Sequence, residues 1–277
     1  MKLRLYHHPD GARVAYRETG TGPRLGLLHS AGLSHREWEP LVDQLADRFR
    51  LVLPDLPLHG DSEDRPRHPY SPDWLADVIA GFCRETLGSR PLVGGHGVGA
   101  ELLVRAVSSG RIEPARLVLM SNRLEGRPSR PGLMRSWKAV TSLAAVPGLD
   151  RALSYGACAL FRPALGSRLS VRDNPAARDL VRHAFADVGG NGNRARSWAK
   201  FARRWPDHAP GSDSFARVGS PVLLLWARED AYHPLALAEQ ALDRFPDAQL
   251  RVLPGTGFLM AYDDPVGVAR ELAAFCG

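Results

Sequence analysis

The chain has only three cysteines in 277 residues, Cys83, Cys158 and Cys276, and they form an odd, widely spaced set without a CxxC pair. That argues against a disulfide framework and against a thiolate zinc site, and leaves reduced, mostly buried thiols of a cytoplasmic protein as the expectation. No apolar run approaches the length of a membrane span. The basic opening Met1-Lys2-Leu3-Arg4-Leu5-Tyr6-His7-His8 lacks the apolar core and small-residue cleavage site of a signal peptide. Internal repeats and low-complexity tails are absent. Histidines and carboxylates nowhere fall at metal-ligand spacing, so neither a metal nor a cofactor is expected. What is present, 44% hydrophobic and 24% charged residues, suits one globular domain with an insertion.

The net charge of +6 is unevenly spread. Residues 123–217 hold fifteen Arg and two Lys against seven acids, a net of +10, so the remainder carries −4. Such a segment can recruit anionic ligands or acidic carriers. It lacks the interleaved aromatics of a base-stacking surface, and its charges fall at helical spacings, as on solvated helix faces. Neither nucleic acid nor membrane is expected as a partner. A small-molecule substrate is, with an anionic or carrier-bound one among the options.

Apolar runs alternate with amphipathic stretches in the manner of strand–helix–strand units around a parallel sheet. Strands are expected at 2–6, 12–17, 24–28, 50–54, 91–94, 117–120, 221–226 and 248–253. Ser34-His35-Arg36-Glu37 has the spacing of a capping box, in which Ser34 and Glu37 satisfy free backbone N–H groups at a helix start. Pro72, Pro234 and Asp264-Pro265 mark further helix starts. From about 123 to 215 strand signals disappear, and helical patterns broken by Pro147-Gly148 and by Gly189-Gly190-Asn191-Gly192-Asn193 take over.

Five signposts then stand in order at strand ends: His29-Ser30-Ala31-Gly32, His59-Gly60-Asp61-Ser62, a tight turn at Gly95-His96-Gly97-Val98-Gly99, an acid loop at Asp230, and Pro254-Gly255-Thr256-Gly257 before the final helix. Together they resemble a cap-bearing member of the α/β-hydrolase superfamily across almost the whole chain. The resemblance implies an α/β fold with a mostly parallel eight-stranded sheet, flanking helices and an inserted helical cap. Residues 1–122 and 216–277 would form the core, and 123–215 the cap. Gly95-His96-Gly97-Val98-Gly99-Ala100 also fits a dinucleotide fingerprint, but that reading wants an acid at the end of the next strand, where Ser121 and Asn122 stand.

In the family the tight turn reads G-x-S-x-G and lifts a nucleophilic serine above the sheet. Here the apex is Gly97, which has nothing to attack with. The family histidine follows the last Gly-x-Gly, and here that position is Phe258, which can neither take nor give a proton. One expectation is that Phe258 leans into the volume vacated at Gly97 and gives the pocket an apolar floor. Asp230 stands at the family's acid position and reads either as a carboxylate paired with a neighbouring Arg or backbone amide, or as an acid–base group. By resemblance, the backbone N–H groups of Ala31 and Val98 would form an oxyanion hole that needs no side chain, with the Ser30 hydroxyl beside it. His29, His59 and His96 fall in loops where hydrogen-bonded structural roles are the first reading, and His96 beside the empty apex is the best substitute base. Ser121, Asn122, Tyr232, His233 and Leu259 are candidate substrate contacts, although His233 before Pro234 also reads as a helix-start residue.

Three functions fit these residues. The first is a non-hydrolytic cyclase, lyase or isomerase acting on a small carbonyl-bearing metabolite, with Asp230, His96 and Ser30 as catalytic candidates. The second is a ligand-binding or partner protein without turnover. The third is a hydrolase with displaced groups, such as Ser30 or Ser121 with His96 or His233.

Overall fold

The computed structural model describes residues 1–124, 169–172, 174–189, 192–204 and 209–277, with the isolated positions 146, 148, 149 and 152. Eight strands form one sheet: β1 (Lys2–His7), β2 (Arg13–Thr19), β3 (Arg24–Leu28), β4 (Arg50–Pro54), β5 (Leu92–His96), β6 (Arg116–Met120), β7 (Val222–Ala227) and β8 (Ala248–Leu253). Their order is β1-β2-β4-β3-β5-β6-β7-β8. The β1–β2 and β2–β4 pairs are antiparallel, and every pair from β4 to β8 is parallel. The expected mostly parallel sheet is therefore present, with strand ends within about two residues of the sequence reading. The central strands are short, continuously apolar runs because helices cover both of their faces.

The main helices among the described residues are α1 (Glu39–Leu45), α2 (Pro72–Thr86), α3 (Val98–Ser108), α4 (Pro175–Gly189), α5 (Gly192–Arg204), α6 (Leu235–Leu242) and α7 (Pro265–Cys276). One face of the sheet packs on α2 and α3 through residues such as Ile79, Phe82, Val104 and Trp226. The other packs on α1 and α7 through Trp38, Leu41, Leu225 and Leu272. A third cluster joins Leu33, Phe258, Leu259 and Tyr262 to Leu180 and Val181 of α4. Helices α4 and α5 are the described parts of the stretch expected to form a cap. The remainder of that stretch, including most of 125–168 and Cys158, lies outside the described residues. Cys83 and Cys276 are free and buried, and burial pushes both thiols up to about 12.

The helix starts follow their sequence signals. Ser71 caps α2 by accepting from the Trp74 N–H, with Pro72 in the first turn. Asp264 caps α7 by accepting from the Gly267 N–H at 2.9 Å. Asp264→Ala is expected to cost about 1 kcal/mol, read as a fall of roughly 2–4 °C in a thermal melt. A melt that does not move would mean that the cap contributes nothing.

The capping box at Ser34 is a correction. Ser34 does precede a helical turn, His35–Trp38, and its hydroxyl accepts from the Arg36 N–H at 3.4 Å. Glu37 does not reach back to close the box. Its side chain turns inward and is 2% exposed, because the chain's interior offers it two stronger donors than the Ser34 N–H.

The topology also says where a ligand should bind. From β3 the chain steps outward to β4, then returns to place β5 on the other side of β3. In open α/β sheets, ligands bind at the carboxyl ends of the strands where the order reverses. Leu28 pairs with Gly95 in the β3–β5 register. Continuing that register brings His29 beside His96 and Ser30 beside Gly97. Two of the five signposts therefore face each other across the switch point.

Candidate functional site

Gly97 sits at the apex of the β5–α3 turn with φ 51° and ψ −119°, a conformation that L side chains rarely adopt. Its N–H donates to the carbonyls of Met120 and Ser121, both at 3.2 Å, which ties the apex to the end of β6. The flanking glycines are required by close approach: a Cβ on Gly99 would lie 2.5 Å from the Leu28 carbonyl oxygen, and one on Gly95 2.6 Å from the Ala100 nitrogen. The sharp turn of the motif is intact around an apex that carries no nucleophile.

The space over Gly97 is not taken by Phe258. An added Cβ at 97 would overlap Ser30 Oγ outright and stand 2.8 Å from Ser30 Cβ. The hydroxyl of Ser30 occupies the space that a side chain at position 97 would need, and it makes no hydrogen bond among the described residues. The expectation of an apolar floor at Gly97 is thus corrected to a polar one. Phe258 lies to the side, with its ring centroid 4.3 Å from that of His96 and 5.6 Å from that of His233, stacked on the latter with 24° between the planes. Helix α4 covers it through Leu180 and Val181.

The N–H groups of Ala31 and Val98 donate to nothing among the described residues. Each follows directly on one of the two residues that meet, Ser30 and Gly97. Val98 opens α3, whose first-turn N–H groups have no partner within the helix and carry its positive dipole end.

Glu37 organises this corner, a role for which the sequence carries no local mark. Its Oε2 accepts from the Ser30 N–H at 2.9 Å, and its Oε1 accepts from His96 Nδ1 in a very short contact. One buried carboxylate thereby holds both loops of the site. His96 is 1% exposed, and its Nε2 has no partner. Enclosure beside Phe258 and Trp38 makes it a poor proton carrier for a ligand, so the sequence expectation of His96 as substitute base is weakened by its position.

Asp230 is paired with a histidine three residues further along the chain, His233. Its Oδ2 accepts from His233 Nδ1 at 2.9 Å, while Oδ1 accepts from the N–H groups of Tyr232 at 2.7 Å and His233 at 3.2 Å. Burial pushes the Asp230 carboxyl up, but the hydrogen bond and charge of His233 and the Tyr232 amide outweigh it and hold the group below its ordinary value. His233 is not the start of a helix, since α6 begins at Leu235. Its carbonyl accepts from Trp226 Nε1 at 2.7 Å, which fixes the backbone. The imidazole is 12% exposed, and its Nε2 makes no hydrogen bond among the described residues. The result is a carboxylate–histidine pair with one free ring nitrogen, the arrangement that orients a general base.

The remaining candidates divide clearly. His29 is structural: its Nδ1 donates to the Ser30 carbonyl at 2.7 Å and its Nε2 accepts from the Leu56 N–H at 2.8 Å. Ser121 does not face a pocket, because it is fully buried and its hydroxyl accepts from the Ala227 N–H between β6 and β7. Leu259 is 1% exposed and belongs to the apolar cluster under α4. Tyr232 is exposed, with its ring 6.1 Å from that of Phe258. Asn122 is fully buried with both amide atoms unpartnered among the described residues, so it is closed to a ligand in this structure. Among the described residues, no group of three His, Cys, Asp or Glu side chains is placed to hold a metal. No helix there is long and apolar enough to cross a membrane.

A profile of the alpha/beta hydrolase family matches residues 27–271. The chain belongs to the alpha/beta hydrolase family. Its relatives include a pimeloyl-[acyl-carrier protein] methyl ester esterase of Nitrosomonas europaea, 32% identical over 269 residues that cover 89% of this chain and 92% of that protein. An uncharacterised protein of Mycobacterium tuberculosis is 25% identical over 281 residues, covering 96% and 77% respectively. Among solved structures, a thermophilic esterase from Thermogutta terrifontis superposes with a TM-score of 0.79 over 100% of this chain and 98% of that one, at 21% identity, a likeness of fold. The family is an enzymatic one, and the eight-stranded sheet with its flanking helices is its fold.

Proposed function

We propose that this member of the family is an enzyme that works on a small carbonyl compound without a serine nucleophile, by a cyclase, lyase or isomerase type of step. The observation that carries the reading is that two N–H groups, those of Ala31 and Val98, and the Nε2 of the Asp230–His233 pair are all unengaged among the described residues, with Phe258 in ring contact with both His96, next to Gly97, and His233. The N–H groups would hold a carbonyl oxygen as its negative charge develops. His233, oriented by Asp230, would take a proton from the carbon beside that carbonyl. The C–H electron pair then moves into the carbonyl, giving an enolate whose oxygen rests in the hole. From there the enolate pair can expel a leaving group from the β carbon or close onto an internal electrophile, the His233 imidazolium giving its proton to the group that takes up the charge, or, where a double bond is conjugated with the enolate, the imidazolium can return the proton to the γ carbon. The Ser30 hydroxyl, standing where the nucleophile would, is a third donor to the same oxygen.

Relatives are named as a methyl ester esterase and as a 2-(acetamidomethylene)succinate hydrolase, and both names describe carbonyl substrates. A carbonyl substrate is thus consistent with the family setting, while loss of the serine at 97 and the histidine at 258 removes the usual acyl-enzyme route.

The test is α-proton exchange. Small ketones and 2-oxo acids are incubated with the protein in D2O and followed by proton NMR. Exchange above the buffer rate is expected for the unaltered protein, and a loss of on the order of 10⁴-fold for Asp230→Asn, by analogy with loss of an orienting carboxylate. His233→Ala should abolish it. No exchange with any member of the panel, together with serine-reagent-sensitive ester cleavage, would overturn the proposal in favour of a displaced hydrolase.

A further inference from the structure

The bond to Asp230 supplies only part of what aiming a base requires. Asp230 Oδ2 accepts from His233 Nδ1 at 2.9 Å. That fixes one ring nitrogen and leaves the plane of the imidazole free to turn about the Nδ1···Oδ2 line. A base must hold its other nitrogen within hydrogen-bond reach of the proton it takes. The second constraint on the ring comes from Phe258. The two planes lie 24° from parallel with centroids 5.6 Å apart, an offset stack. Rotation of the imidazole about its bond to Asp230 would give up that contact.

Phe258 can act as a fixed stop because its own backbone and ring are held. Before it in the chain, the Gly257 N–H donates to Asp263 Oδ2 at 2.8 Å, and after it the Leu259 N–H donates to the Leu169 carbonyl at 2.7 Å. Asp263 is buried and also accepts from the N–H groups of Val171 and Arg172 at 3.2 and 3.3 Å. The loop carrying Phe258 is thereby tied to the segment that precedes α4. The ring itself packs in one apolar cluster with Leu33, Leu180 and Tyr262.

Phe258 stands between the two halves of the site. On one side its centroid is 4.3 Å from that of His96, which Glu37 fixes together with the Ser30 N–H beside Gly97. On the other side is His233. Both imidazoles touch the same phenyl ring, yet His96 Nε2 is enclosed and His233 Nε2 is not.

We propose that Phe258 is the positioning residue of the site: its ring sets the plane of His233, aims Nε2, and spaces it from the corner that holds the Ala31 and Val98 N–H groups. The proposal rests on the reading of His233 as the base. It has an electrostatic part as well. Once Nε2 has taken a proton, a cationic ring lies within about 6 Å of an aromatic centroid, where the negative face of the phenyl quadrupole attracts it. A phenyl group does this without competing for the proton. An aliphatic side chain would fill the volume but offer neither a flat face nor a quadrupole.

The test compares Phe258→Leu, which stays apolar without a flat face, with Phe258→Tyr, which keeps the ring. Exchange of the α-protons of butanone and 2-oxobutanoate in D2O gives kcat and KM. The Hδ2 and Hε1 resonances of His233, identified by their loss in His233→Ala, report the setting of the ring without turnover. For Phe258→Leu, kcat is expected to fall on the order of 10- to 100-fold, as when a reacting group is misplaced. KM should stay within about twofold, the mark of an interaction made only in the transition state. The His233 resonances should shift as the phenyl ring current is lost. Phe258→Tyr should keep most of kcat and leave the resonances near their place. Should Phe258→Leu not fold, Phe258→Met takes its place, and nuclear Overhauser contacts between Phe258 and His233 in the unaltered protein must be present. Their absence, an unchanged kcat in the Leu variant, or a loss of kcat with unmoved His233 resonances overturns the positioning role, while exchange by the unaltered protein still upholds His233 as the base. No exchange by the unaltered protein sinks the proton-transfer reading instead, and His233 resonances that move in the Leu variant and return in the Tyr variant would then uphold the hold on the ring alone.

Discussion

Gly97→Ser together with Phe258→His is expected to remain without esterase activity, whereas the same pair with Ser30→Gly added gains on the order of 10²–10³-fold in cleavage of p-nitrophenyl acetate. The difference is steric. Any side chain at 97 drives its Cβ into Ser30 Oγ and to within 2.8 Å of Ser30 Cβ, and Ser30 cannot withdraw freely because Glu37 holds its backbone N–H. Glycine at position 30 empties that volume. The backbone at 97 already has the strained turn that a nucleophilic serine occupies, with φ 51° and ψ −119°. A histidine at 258 would still find Asp230 engaged by His233. The triple variant should therefore recover only part of the roughly millionfold that loss of serine or histidine costs in a serine protease. Adding His233→Ala, which frees Asp230, should raise the rate further. Activity measured by release of p-nitrophenol and blocked by a fluorophosphonate would establish acylation at the serine introduced in place of Gly97. Equal rates for the double and triple variants would mean that Ser30 does not obstruct position 97.

The contrast between these loops bears on how much of the molecule is legible from its sequence. The strands can be read because a parallel central sheet needs short runs such as Val222–Ala227 that are apolar on both faces. The turn at 95–99 can be read because close backbone approach admits only glycine, and the local spacing records that demand. Ser30 is visible as a hydroxyl beside the expected oxyanion hole, but its meaning depends on the Leu28–Gly95 register across β3 and β5. Pairing between strands so far apart in the chain leaves no local mark. His233 is obscured for the opposite reason. Its position before Pro234 carries a local explanation as a helix start, and that explanation hides its bond to Asp230. Glu37 misleads outright, because the capping-box spacing is a local rule and burial beside His96 is a tertiary fact that overrides it.

Asp55 shows that the other signposts are held by the same device. It is fully buried and accepts from the N–H and Nδ1 of His35 at 2.7 and 2.9 Å, and from the Asp61 N–H at 3.0 Å. Asp55 thus ties the 55–62 turn to the 35–38 turn, as Glu37 ties the latter to His96 and Ser30. The two carboxylates form consecutive links from the 55–62 turn to the turn at Gly97. The site at Gly97 consequently depends on one short segment, residues 30–37, being held at both ends.

Glu37→Ala cuts the second of those links and is expected to cost about 3–5 kcal/mol, from two buried N–H donors left without an acceptor at about 1–3 kcal/mol each and from the emptied volume. For a chain of this size that corresponds to a fall of roughly 10 °C in the thermal midpoint. The penalty is large because the Ser30 N–H and His96 Nδ1 lose their acceptor at once, and the volume Glu37 filled is left empty. His96 Nε2 already lacks a partner, so the ring would be left with neither nitrogen satisfied in a buried setting. Glu37→Gln separates charge from hydrogen bonding. The Gln oxygen can still accept from the Ser30 N–H, but its amide must then face His96 as a donor. The imidazole can answer only by moving its proton to Nε2, so that Nδ1 accepts. A smaller loss of about 1–2 kcal/mol is expected, accompanied by an exchange of the protonated and unprotonated ¹⁵N signals of the His96 ring. Glu37→Ala melting within about 2 °C of the unaltered protein, or Glu37→Gln leaving those signals in place, would mean that the carboxylate does not hold His96 as the distances imply.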